Sequence, residues 1–134
     1  MPITLINVLL VGAGGFIGSA LRFIVGTWVM RTAGTPVFPY GTLTVNILGC
    51  LVIGLLAGLT EGRQLFSNEV RLLVFFGVLG GFTTFSAFGL ETVVLLQDGR
   101  VFMGLANAGV QVIVCLTMVW IGLALGRALP STFS

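Results

Sequence analysis

The chain has 134 residues, of which 57% are apolar and 7% are charged, and its mean hydropathy is +1.16. A soluble domain carries roughly a quarter charged residues, so this chain cannot cover its surface with polar groups and needs lipid. Its net charge of +2 is too small and too dispersed for nucleic-acid binding. Histidine is absent from the sequence, which removes the commonest acid–base catalyst and metal ligand.

Four stretches are long and apolar enough to cross a bilayer, which takes about 20 residues in a helix. They cover residues 3–29, 42–60, 71–95 and 101–126. We therefore predict an all-α integral membrane protein with one membrane domain, residues 1–134. No positive charge precedes the first span, so we expect it to be retained rather than cleaved as a signal peptide. The segment from Arg31 to Tyr40, rich in glycine and proline, is predicted to be a turn.

Glycines four residues apart occur in each predicted span. The pairs are Gly14/Gly18, Gly54/Gly58, Gly77/Gly81 and Gly122/Gly126. Such pairs let two helix backbones approach closely. Either close helix packing or a simple abundance of glycine, of which the chain has 20, accounts for the pattern.

The arginines near the span ends are almost evenly divided between the two membrane faces. With four spans, Arg63, Arg71 and Arg127 lie on the side of the termini, and Arg31 and Arg100 on the other. Orientation follows the excess of Lys and Arg, and this excess is small. The sequence thus predicts dual topology, with two oppositely oriented copies forming an antiparallel homodimer.

Polar residues within the spans are the first functional candidates, because they are costly in lipid unless they are paired or face a cavity. Thr42 and Asn46 share one face of the second span, and Asn107 and Gln111 share a face of the fourth with Cys115. Each group either lines a polar path or holds helices together by hydrogen bonds. Cys50 and Cys115 are far apart in sequence and are interpreted as small core residues rather than a disulfide or a metal pair.

The stretch from Gly80 to Phe88 is the most informative part of the chain. Two glycines followed by Thr83 and Thr84 weaken a helix locally. Broken helices occur in membranes where the freed backbone groups line a cavity or hold an ion. A continuous helix with back-bonded hydroxyls is the alternative. Phe85 and Phe88 are either pathway residues with positive ring edges, beside Ser86, or plain packing residues.

Two charged residues lie inside the predicted spans. Arg22, near the end of the first span, either reaches toward the headgroups or sits in a vestibule that attracts anions. Glu91, near the end of the third span, has the same two possibilities.

Three motifs together resemble the CrcB/Fluc family of bacterial fluoride channels. They are Gly14-Gly15-x-x-Gly18-x-x-x-Arg22, Gly41-Thr42-Leu43-x-Val45-Asn46 and Gly80-Gly81-x-Thr83-Thr84-Phe85-Ser86-x-Phe88. The third motif is the most specific, and the resemblance covers nearly the whole chain.

The resemblance implies a fluoride-selective channel that exports fluoride passively across the bacterial cytoplasmic (inner) membrane. It implies an antiparallel, dual-topology homodimer whose third helix is broken near mid-membrane. Phe85, Phe88 and Asn46 would line the fluoride pathway, with Thr84 and Ser86 assisting. The backbone carbonyls of Gly80 and Thr83 would hold a structural sodium ion at the dimer centre.

The fourth span departs from the tyrosine and serine track that is common in this family. This chain has Asn107, Gln111 and Cys115 there, so we expect a different exit path, rate or inhibitor sensitivity. Arg22 and Thr42 are assigned to the vestibule or to packing, as are Asn107 and Gln111.

Three other classes of protein compete with the channel interpretation. A small multidrug transporter needs a membrane-embedded carboxylate, but the first span has only Arg22 as a charged residue. A structural membrane protein would use the buried polar groups only to hold helices together. An enzyme is disfavoured, since the spans contain no paired carboxylates and no nucleophile with a nearby base.

Overall fold

The computed structural model describes residues 3–34, 37–62 and 65–129. Every regular element within these ranges is a helix. The elements are α1 Leu5–Ala33, α2 Tyr40–Thr60, α3 Asn68–Arg71, a π-helical segment Leu72–Leu79, α4 Gly80–Phe82, α5 Phe85–Gln97 and α6 Val101–Ala128.

Among the described residues, four helical stretches are long and apolar enough to cross a membrane. They are Leu5–Ala33, Tyr40–Thr60, Asn68–Gln97 and Val101–Ala128, and the third comprises α3 to α5. The prediction of an all-α protein with four membrane spans is confirmed.

The first span ends about one turn later than predicted. α1 continues to Ala33, so Arg31 lies in its last turn and not in the connecting segment. The helix ends at Gly34, whose φ of 65° is the left-handed conformation that glycine adopts without strain. The predicted end at residue 29 was wrong because it followed the apolar run rather than this cap.

The third span begins earlier than predicted, at Asn68 instead of residue 71. The Ser67 hydroxyl accepts a hydrogen bond from the Val70 N–H at 3.4 Å, which satisfies one of the free amides at a helix start. Asn68 and Glu69 are therefore helical rather than part of the loop. Arg63, predicted for the same loop, lies outside the described residues.

Burial is inverted relative to a soluble protein. Large apolar side chains point outward, including Phe16, Phe102 and Trp120, each at least 70% exposed. The buried set includes the polar residues Asn46, Asn107 and Gln111. This distribution is what a lipid solvent requires, because polar groups must be satisfied inside the bundle.

The four glycine pairs all lie at close helix–helix contacts, which confirms the tight-packing interpretation. A Cβ added at Gly77 would lie 2.8 Å from Gly14 Cα, and one added at Gly58 would lie 3.0 Å from Gly126 Cα. Real Cβ contacts are longer, so only glycine fits. The pairs join α1 to residues 72–82 and join α2 to α6. The two helices run parallel in both contacts.

Candidate ion pathway

The third span contains two residues that are not helical. Thr83 has φ −87° and ψ 158°, and Thr84 has φ −152° and ψ 121°, both extended. The Thr83 hydroxyl donates to the Leu79 carbonyl one turn earlier at 3.0 Å, yet the helix stops there. The Thr84 hydroxyl accepts from the Ala87 N–H at 3.2 Å and so caps the N-terminus of α5. The extended residues fall within the stretch from Gly80 to Phe88 that the sequence singled out.

Asn46, on α2, bonds to the backbone of this interruption. Its Nδ2 donates to the Thr84 carbonyl at 3.0 Å, and its Oδ1 accepts from the Thr84 N–H at 2.8 Å. Nδ2 also donates to Oε1 of Gln111 at 2.9 Å. Both donor hydrogens of Asn46 therefore have acceptors within the protein. Because Asn46 bonds both the carbonyl and the N–H of Thr84, it holds the backbone of the interruption in place.

Gln111, on α6, is left with a donor group facing no partner. Its Oε1 accepts from Asn46, while its Nε2 has no hydrogen-bond partner among the described residues. The side chain is only 3% exposed. A buried amide donor without an acceptor costs free energy comparable to a lost hydrogen bond, so it marks a place where a ligand or water is favoured.

The two phenylalanines at the start of α5 form an edge-to-face pair. The ring centroids of Phe85 and Phe88 lie 5.2 Å apart with an interplanar angle of 69°. Phe88 is buried at 9% exposure, whereas Phe85 is 80% exposed in the single chain. Both rings line a cavity of about 400 Å³ together with Asn46, Thr84 and Gln111. We call this space the phenylalanine cavity.

A larger cavity of about 1120 Å³ lies on the other side of the interruption and is called the vestibule here. Arg22 lines it, and its Nη1 donates to the Thr83 carbonyl at 3.3 Å. Thr42 and Glu91 also line it, and the Thr42 hydroxyl donates to Glu91 Oε1 at 2.6 Å. The other carboxylate oxygen of Glu91 is buried without a partner among the described residues. Both Arg22 and Glu91 therefore line the vestibule, which is one of the two positions that the sequence left open for each.

Thr84 belongs to the lining of both cavities. Ser86 lines the vestibule, with its hydroxyl 3.2 Å from that of Thr84. The non-helical residues therefore stand between a charged vestibule and an apolar cavity. This arrangement brings most of the sequence-predicted site residues to one point in the fold.

Asn107 is the exception among the predicted site residues. It is fully buried, and its Nδ2 donates to the Thr92 hydroxyl at 2.8 Å, joining α6 to α5. It lines neither the vestibule nor the phenylalanine cavity. These contacts favour the role of holding helices together.

Sequence reasoning missed two features of the site. Gly49 lies directly beneath the Thr83 side chain, so that any Cβ there would collide with the threonine methyl group. Its position three residues after Asn46, on the same helix face, was the available signal. Cys50 and Cys115 both line the phenylalanine cavity, one turn before the point where Gly54 meets Val119, although their sequence separation concealed this.

A family model described as CrcB-like protein, Camphor Resistance (CrcB), matches residues 9–123 of the chain. The chain belongs to this family. A protein of Methylobacillus flagellatus named fluoride-specific ion channel FluC is 50% identical over 119 residues, covering 89% of this chain and 93% of its own length. A protein of Rhizobium meliloti with the same name is 47% identical over 123 residues, covering 92% and 98%. One from Ruminiclostridium cellulolyticum, also so named, is 42% identical over 132 residues, covering 97% and 96%.

Proposed function

We propose that this chain is a fluoride-selective channel that exports fluoride passively across the bacterial cytoplasmic (inner) membrane. It would thereby lower cytoplasmic fluoride, which accumulates when hydrogen fluoride enters from acid surroundings and dissociates inside. The names of family members that match almost the full chain support fluoride as the transported ion. The observation that carries the proposal is the buried, unpartnered Nε2 of Gln111 beside Phe85 and Phe88.

The chemistry of the lining suits a small anion. Fluoride is strongly hydrated, so a pore must replace water with many donors. Gln111 Nε2, the hydroxyls of Thr84 and Ser86, and phenyl ring edges offer positive partial charge without a fixed cation. Conduction needs this compromise, since an ion must bind well enough to enter and weakly enough to leave.

The proposed route runs from the vestibule past Thr84 into the phenylalanine cavity. Arg22 raises the anion concentration in the vestibule by its charge. α5 begins at Phe85. The N-terminus is the positive end of the helix dipole, so it favours an anion there. Asn46 acts on this route as a positioning residue, since its donors hold Thr84 and orient Gln111.

The active unit in this proposal is an antiparallel, dual-topology homodimer with the helix interruption near mid-membrane. The near balance of arginines between the two ends supports it. The 80% exposure of Phe85, whose edge is assigned to the pathway, also supports it. A second copy would close the open side of that ring.

A structural sodium ion at the dimer centre forms part of the same proposal, with the carbonyls of Gly80 and Thr83 as ligands. The donor chemistry fits. The Thr84 N–H, which would bond the Gly80 carbonyl in a continuous helix, donates to Asn46 instead. The Thr83 carbonyl keeps a second lone pair beside its bond from Arg22. When bound, the ion would supply a positive charge that holds the two copies together.

Sodium dependence of the melting temperature in detergent tests this part. Replacing sodium by potassium should lower the melting temperature of the dimer. Equal melting temperatures in the two salts would contradict the sodium site.

Growth of a fluoride-sensitive bacterium tests the function, with Phe85→Ile and Phe102→Ile as a matched pair. Phe102 is 83% exposed, much like Phe85, but lies at the start of α6 away from the phenylalanine cavity. The wild-type chain and Phe102→Ile should restore growth in fluoride, and Phe85→Ile should not. No protection by wild-type chain that has inserted in the membrane would contradict the proposal.

A further inference from the structure

The two cysteines of the chain form a pair that the ion pathway does not explain. Cys50 lies on α2 and Cys115 on α6. Each precedes by one turn the point where Gly54 meets the backbone of Val119, so the two side chains stand at the same level of this helix contact. Both are free and only partly buried. Two thiols that face one cavity from the same level of two packed helices have chemistry that neither has alone.

The pair lies in the wall of the phenylalanine cavity. Cys50 and Cys115 line the same space of about 400 Å³ as Phe85, Phe88 and Gln111. A group bound between the two sulfur atoms would therefore stand in the route proposed above.

The helices that carry the cysteines are held rigidly relative to each other. α2 and α6 have the most extensive contact of any helix pair in the described residues. Four glycines at this contact, Gly54, Gly58, Gly122 and Gly126, let the backbones touch. The distance between the thiols is thus set by the fold, and a pre-formed pair loses little entropy on binding a ligand.

Thiolates select soft cations. Zinc in a structural site takes four protein ligands. The described residues contain no cluster of three or more histidine, cysteine or carboxylate side chains, so the pair has no such partners nearby. A thiol pair suits instead the soft d10 cations that accept two sulfur ligands, such as Cd(II), Hg(II) or Cu(I).

We propose that Cys50 and Cys115 form a two-thiolate site for a soft, thiophilic cation, and that occupancy of this site blocks ion movement through the phenylalanine cavity. For a divalent ion, two S–H bonds break, two metal–sulfur bonds form, and two protons pass to water with no change of oxidation state. The product is neutral and adds a metal ion to the wall of the cavity, where it obstructs the proposed route. The blocking part of this inference rests on the proposed channel function, whereas the binding part does not.

Cadmium is the probe, because a thiol pair chelates it while a single thiol holds it weakly. Purified protein should bind one Cd²⁺ per chain, with a near-ultraviolet sulfur-to-metal absorption band and release of two protons. Cys50→Ser and Cys115→Ser should each weaken binding by roughly tenfold or more, the scale on which altered metal sites lose affinity. Serine is nearly isosteric with cysteine, so the band and the fold can be compared in all three proteins.

Fluoride efflux from liposomes supplies the second readout, each variant being normalised to its own flux without metal. Cd²⁺ should reduce wild-type flux about tenfold or more, at the concentrations that produce the absorption band, and a chelator should restore it. Both serine variants should resist the same concentrations.

Two outcomes would overturn the inference. An unchanged cadmium affinity in either serine variant would show that the thiols do not act as a pair. Cadmium bound at the pair with flux unaltered would show that the site does not block the route. If the wild-type protein moves no fluoride before cadmium is added, the proposed function fails, and the absorption and proton-release measurements still decide the binding site.

Discussion

The three buried amides differ in their partners and in their surroundings. Asn107 leaves an acceptor, Oδ1, and Gln111 leaves a donor, Nε2, without a partner among the described residues, but of these two only Gln111 lines a cavity. Asn107 bonds Thr92 across a helix contact, and Asn46 bonds the backbone of Thr84. Gln111 accepts from Asn46 and keeps its Nε2 free of any acceptor among the described residues. Their common amide chemistry therefore does not imply a common role.

We predict that Asn46→Leu destabilises the protein by about 2 kcal/mol. It removes three interhelical hydrogen bonds, and such bonds contribute roughly 0.6 to 1.7 kcal/mol each in membranes. The apparent melting temperature in detergent measures the effect. Thr117→Val is the control, because that exposed hydroxyl bonds only its own helix and its loss should change stability by less than about 0.5 kcal/mol. Equal losses in the two variants would contradict the role given to Asn46.

Much of the site at this scale could be predicted from the residues themselves. Thr83, Thr84, Phe85 and Phe88 stand together in one short, unusual stretch, so local composition and family resemblance both identify them. The pairing of Asn46 with Gln111, or of the two cysteines, could not be predicted. Such contacts depend on which helices adjoin and how each is rotated about its axis, and neither is a property of a single span.

Among the helices, glycine determines which surfaces meet. The sequence predicted close packing at four glycine pairs but not which spans they join. The structure joins the pair of α1 to that of the third span, and the pair of α2 to that of α6. The predicted span bounds were less accurate, since apolar runs follow the lipid while helices end at caps such as Gly34 and Ser67.

Gly14→Ala should destabilise the protein by about 1 to 3 kcal/mol, the cost of overpacking a well-packed contact. The new Cβ would lie 2.9 Å from both Gly77 Cα and Val78 N, and backbone atoms cannot move aside cheaply. Gly12→Ala is the matched control in the same helix, since a Cβ there meets nothing within 4 Å. It should be neutral or stabilise by up to about 1 kcal/mol through helix propensity. Reversible unfolding in mixed detergent would measure both, and an equal effect of the two changes would refute the packing account.

An ion pair ties the ends of α2 and α6 together outside the apolar part of the spans. Arg127 Nη2 donates to Glu61 Oε1 at 2.9 Å, and a second bond joins Arg127 Nε to Glu61 Oε2. Hydrogen bonding from Arg127 holds the pKa of Glu61 below its ordinary value of 4.5. Both side chains are more than half exposed, so water and salt weaken the pair.

The pH dependence of the stability that this ion pair contributes follows from the direction of the Glu61 pKa shift. Because the folded-state pKa is depressed, the stabilisation is present above pH 4.5 and is lost as the pH falls through the folded-state pKa. Glu61→Gln should therefore lower the melting temperature slightly at neutral pH, and the difference from wild type should vanish in acid. A difference that persists or grows in acid would be inconsistent with this ion pair.

On the scale of the whole molecule, the charge balance across the membrane bears on the proposed dimer. The sequence places three arginines at the end with the termini and two at the other, so small changes should set the orientation. Leu129→Arg adds a charge at the first end, which makes the balance four to two. The triple change Val101→Arg, Phe102→Arg and Met103→Arg adds three at the other end, which makes it three to five. All four positions are exposed.

Each of these charge variants alone should insert in one orientation and lose fluoride transport, because an antiparallel dimer needs both orientations. Co-expression of the two should restore transport. Reporters fused to the C-terminus measure orientation, and the corresponding glutamine variants control for the loss of apolar side chains. Full transport by either arginine variant alone would contradict the antiparallel dimer.

The measurement that tests the central claim most directly is fluoride efflux from liposomes containing only this purified protein. Chloride efflux and the Phe85→Ile variant are measured alongside. The account predicts fast fluoride efflux without chloride efflux, and its loss in the variant. A well-folded protein that releases no fluoride, or that releases chloride equally well, would contradict it.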